Sequence, residues 1–145
     1  MTLKFGLSLS VFVLALFPSL GAFAAEQEVS GIVTLEKGLD KNMPKTGKLF
    51  IFARKAGAPA MGTPPVAVIM IEKPQFPQSF SITAKNLMMP NTPFEGPFEV
   101  TARYSPTGDA LDKSGPEGSD GKAKPIPMGK KDLKIELKAK KSSFH

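Results

Sequence analysis

The sequence predicts an all-β fold, a small antiparallel β-sandwich, and three observations carry that prediction. Six short segments show the two-residue alternation or the unbroken apolar run of strands, each closed off by Gly, Pro, Asn or charged residues. Beyond the first 24 residues no helical periodicity lasts longer than a single turn. Residues 47–54, Gly-Lys-Leu-Phe-Ile-Phe-Ala-Arg, place Leu49, Ile51 and Ala53 on one face and Phe50 and Phe52 on the other. A strand apolar on both faces belongs at the centre of a sheet and is covered on both sides. The spacing fits an immunoglobulin-like or a transthyretin-like sandwich better than a barrel, without separating the first two.

Residues 1–24 read as a cleaved signal peptide: Lys4 gives the positive start, 5–17 the apolar run, and Ala22-Phe23-Ala24 the cleavage site. The run is shorter than the roughly 20 apolar residues of a spanning helix, so stable membrane insertion is not expected after cleavage. The sandwich domain is assigned to 25–137 and a basic C-terminal tail to 138–145. Val29, Gly31, Val33 and Leu35 face one way in the first strand, where Gly31 marks a bulge or a close backbone approach. Leu39 and Met43, four apart, are placed to cap the sandwich end from one helical turn. After the central strand, 55–65 is a Gly-, Ala- and Pro-rich surface connection around Met61. A nearly unbroken apolar strand follows at 66–71, with Met70 expected in the core. Phe80 and Ile82 mark a half-exposed strand, and the proline-rich 86–97 crosses from one sheet to the other. Phe98, Val100, Ala102 and Tyr104 line the next strand; 105–129 is read as one long loop; Leu133, Ile135 and Leu137 close the sheet.

Composition excludes several classes of function. The chain has no cysteine, which removes disulfide chemistry, thiolate metal sites, blue copper and covalent haem attachment. The fold must be held by packing. The formal charge is +6, and much of the excess lies in 130–145, where six lysines read as a solvated strand and tail. With one tyrosine and no tryptophan to stack on bases, an exported chain of this kind is not expected to bind nucleic acid. The sole histidine is the terminal His145, so a Ser-His-Asp arrangement cannot be assembled and no catalytic residue is assigned. Asp109, Asp112, Glu117 and Asp120 crowd the long loop off the EF-hand spacing and read as a solvated loop. No cofactor is expected. Methionine is in excess in loops: Met61, Met88, Met89 and Met128 fill irregular gaps at the sandwich ends or line an adaptable contact surface or, as the alternative, form a thioether set for Cu(I).

The order of motifs resembles a known family. Val29-Ser30-Gly31-Ile32-Val33-Thr34-Leu35 is followed by Leu49-Phe50-Ile51-Phe52-Ala53-Arg54, Pro65-Val66-Ala67-Val68, Phe80-Ser81-Ile82, Met88-Met89-Pro90 and the run from Val100 to Ala110. Together they resemble the C-terminal periplasmic domain of the c-type cytochrome biogenesis protein H family. The resemblance implies a periplasmic immunoglobulin-like domain without catalytic activity that assists cytochrome c maturation. Its implied partner is a protein, an apocytochrome c or the haem-ligation machinery. The membrane segments and helical repeats that usually precede this domain in the family have no counterpart in these 145 residues, so peptide capture by repeats is not carried over. The expected contact residues are Met61, Met88, Met89, Pro90 and Phe94, with Arg54 and Arg103 as polar contacts.

Overall fold

A computed structural model describes residues 27–59 and 61–141. The expected signal peptide and His145 lie outside the described residues. Seven strands form two sheets among those residues: β1 (Glu28–Leu35), β2 (Lys48–Lys55), β3 (Ala67–Ile71), β4 (Gln78–Thr83), β5 (Phe98–Ser105), β6 (Glu117–Asp120) and β7 (Leu133–Leu137). One sheet runs β4-β1-β7 and the other β3-β2-β5-β6. The predicted sandwich is thus the observed fold, with all pairings antiparallel except β1 with β7. Its two faces meet in one core, in which Val29, Val33, Leu49, Ile51, Ile82, Phe98, Val100, Ile135 and Leu137 are the fully buried large side chains.

β2 is central, paired with β3 on one side and β5 on the other. Leu49, Ile51 and Ala53 enter the core, while Phe50 and Phe52 stack on the outer face with centroids 6.2 Å apart. Both phenylalanines are buried, as a strand apolar on both faces requires. Cover on that outer side includes the same sheet: the Arg103 guanidinium lies 5.2 Å from the Phe52 ring centroid. Gly31 is the close approach read from the sequence. A Cβ there would stand 2.2 Å from the Leu133 carbonyl oxygen, so only glycine lets β7 lie against β1 at this register. Leu39 and Met43 pack on the core from the 3-10 turn Leu39–Asn42, as their spacing predicts.

Two expectations are corrected. The segment 105–129 is not one loop, because β6 lies within it and pairs with β5. Its sequence, Glu-Gly-Ser-Asp, carries no apolar alternation; it is held by ladder bonds and by Gly118, where a Cβ would stand 2.1 Å from the Glu136 carbonyl. Ile126, in the same segment, is a core residue that exchanges two main-chain hydrogen bonds with Phe98. Met70 is not core: it is half exposed, beside Phe50 on the outer face, because Ile69 and Ile71 take the inward positions of the two-residue repeat.

Candidate protein-contact surface

The candidate surface is one end of the sandwich, and main-chain bonds assemble it. Ala56 donates to the Pro97 carbonyl at 3.0 Å and Met88 to the Val66 carbonyl at 3.0 Å. These bonds bring the β2–β3 connection and the β4–β5 crossing side by side. The crossing begins with a capped turn, in which the Lys85 amide donates to Thr83 Oγ1 and the Thr83 amide to Asn86 Oδ1. Asn91, with φ 67°, then reverses the chain in the left-handed region that asparagine tolerates. Between these two devices Met88, Met89 and Pro90 are held at an exposed tip. Met88 is 54% exposed, Met89 64% and Met61, on the adjoining connection, 90%. A single exposed apolar side chain is ordinary, but exposed apolar side chains gathered at one end of a domain mark a surface that a partner can cover.

The other expected contact residues fall elsewhere. Phe94 is corrected to the core: it is buried and stacked on Phe98 with centroids 5.2 Å apart, so it anchors the crossing beneath the tip and does not reach a partner. Arg54 donates to the Thr63 carbonyl at 2.6 Å and braces the Met61 connection. Arg103 is on the outer sheet face, bonded to Glu117 Oε2 at 3.1 Å and to the Ala110 carbonyl. It serves the sheet there and lies apart from the methionine tip. Met128 packs partly buried against the core, so the four methionines weighed for Cu(I) divide into three exposed side chains and one packed one.

The acidic loop residues are used locally. Asp112 accepts from the amide and hydroxyl of Ser114 and from the Thr107 hydroxyl, and these bonds lower its pKa to about 2. Asp109 accepts from the Leu111 amide and Asp120 from the Gly121 amide, while Glu117 pairs with Arg103 and Lys140. Among the described residues no group of three His, Cys, Asp or Glu side chains is placed to hold a metal ion.

At the opposite end the residues after β1, the first 3-10 turn and the β3–β4 connection surround an open cavity of about 510 Å3. No sequence motif marks it, because its walls come from four separate segments. The recurrence of Pro44 and Pro74 beside lysines is the one signal that links them.

Fold and surface together define an immunoglobulin-like domain whose connections, at one end, carry exposed thioethers. Residues 29–138 match the immunoglobulin-like domain of cytochrome c-type biogenesis protein H, and the chain belongs to that family. It is also 37% identical over 81 residues to an uncharacterized protein of Aquifex aeolicus (strain VF5), a match covering 55% of this chain and 51% of that one. The chain therefore spans about half the length of that relative. No solved structure matches it. Among the described residues no helix is long and apolar enough to cross a membrane.

Proposed function

We infer that this is a non-catalytic binding or scaffold domain of the periplasm, accessory to c-type cytochrome maturation. It contacts a protein partner, an apocytochrome c or a component of the haem-ligation machinery, through Met61, Met88, Met89 and Pro90. The observation that carries the reading is the methionine tip, held out by a capped turn and a left-handed asparagine in a domain of this family. Unbranched thioether side chains adapt to different apolar partners, as a polypeptide without fixed structure requires. Packing of Phe94 on Phe98 supports the same reading, because it keeps the base of the crossing rigid while the tip stays free.

The test is calorimetric titration of the purified protein with haem-free cytochrome c polypeptide. The protein is expected to bind, and the double variant Met88→Ser, Met89→Ser to bind about tenfold or more weakly with its unfolding midpoint unchanged. Absence of binding by the parent protein, or equal binding by the double variant, would overturn the assignment.

A further inference from the structure

We propose that the cavity at the end opposite the methionine tip binds a small amphipathic carboxylate, an apolar chain or ring with one anionic end. Its volume of about 510 Å3 falls within the range of sites for ligands of that size, about 300–1,000 Å3. A smaller recess of about 330 Å3 extends it past Leu35 and Phe76, which line both.

The floor selects the body of the ligand. Leu35, Met43, Pro44, Phe76 and the ring of Tyr104 are its apolar surface. The Tyr104 hydroxyl donates to the Pro44 carbonyl and accepts the Gly47 amide at 3.0 Å, so it is already engaged on both sides. A polar group lowered onto such a floor would lose water and gain little. An alkyl or aryl body gains the full benefit of burial.

The rim selects the other end. Lys45 and Lys73 stand there against a single carboxylate, Asp40. Among the described residues none of the three takes part in an ion pair, whereas six other lysines and arginines do. The rim thus carries an excess of one positive charge with no internal partner, which complements one anionic group. The adjoining recess is lined further by Glu36 and Lys37, whose opposite charges add no net charge. Lys73 also has φ 56°, in the left-handed region where glycine or asparagine is the usual occupant. The turn itself gains nothing from a lysine at that position, and the cavity mouth gains an ammonium group.

Tyr104 makes the proposal directly testable. It is the only tyrosine in a chain without tryptophan, so ultraviolet emission reports from the cavity floor. Decanoate titrated into the purified protein below its micelle concentration is expected to change that emission saturably. Decanol should bind roughly tenfold or more weakly, and decyltrimethylammonium should give no saturable change. The double variant Lys45→Gln, Lys73→Asn removes both ammonium groups, which are exposed, and asparagine tolerates the left-handed φ. It should keep the parent's unfolding midpoint and its affinity for decanol, and lose roughly tenfold in affinity for decanoate. No saturable change with decanoate, equal affinity for acid and alcohol, or undiminished decanoate binding by the variant would each overturn the proposal. So would binding of an apolar peptide with a free C-terminal carboxylate where decanoate fails. None of these outcomes bears on the methionine tip at the other end.

Discussion

Alanine in place of Gly31 is expected to destabilise the protein by at least about 3 kcal/mol, although it adds one methyl group. The methyl carbon would lie 2.2 Å from the Leu133 carbonyl oxygen, 2.6 Å from its Cβ and 2.7 Å from its carbonyl carbon. Two of these three atoms are main chain, so no rotamer change relieves the overlap. β1 and β7 must separate, and among the described residues β7 is joined to its sheet by their parallel ladder from Gly31–Leu133 to Leu35–Leu137, extended by the Glu36 amide donating to the Leu137 carbonyl. Leu133, Ile135 and Leu137 would then lose their register over the core. Thermal unfolding should show the midpoint falling by roughly 10–20 °C. A fall of less than about 3 °C would mean that β7 is not seated as described.

Truncating Phe98 to alanine should cost about 3–5 kcal/mol, measured by urea unfolding with the slope unchanged. Phe98 is fully buried, stacks on Phe94 and exchanges main-chain bonds with Ile126. Its removal leaves a cavity bounded by ladder strands that cannot collapse into it. The same change takes away the surface on which Phe94 anchors the β4–β5 crossing. Partner binding at the tip should therefore weaken even under conditions where the variant remains folded. A loss below about 1 kcal/mol would contradict the packing.

These two residues also mark how far the fold is legible in the sequence. Gly31 stands out because it interrupts an otherwise regular alternation, and Phe98 because it opens one. β1, β2, β5 and β7 are all readable in this way, since each buries alternate side chains on a shared core. β6 is not readable, because an edge strand lying against another main chain is specified by small residues and not by apolar ones. Met70 shows a different limit: an unbroken apolar run gives the strand but not its inward face, which the neighbouring Ile69 and Ile71 take here. At the candidate site, the exposure of Met61, Met88 and Met89 followed from their setting among prolines and glycines. The burial of Phe94 did not, because the crossing is seated by Phe98 and by the close approach of Gly96 to the main chain of Ile126 and Met128, some thirty residues away. The cavity at the far end was invisible for the same reason. Its walls are distant in sequence, and only the closed fold brings Tyr104 under Pro44.

The most direct measurement of the account is amide chemical-shift mapping of the labelled protein as haem-free cytochrome c polypeptide is added. Saturable shifts are expected at 61–63 and 87–92, at the end carrying the exposed methionines, with residues 37–45 and 73–77 unmoved. Shifts confined to the opposite end, or none at concentrations that saturate calorimetric binding, would contradict it.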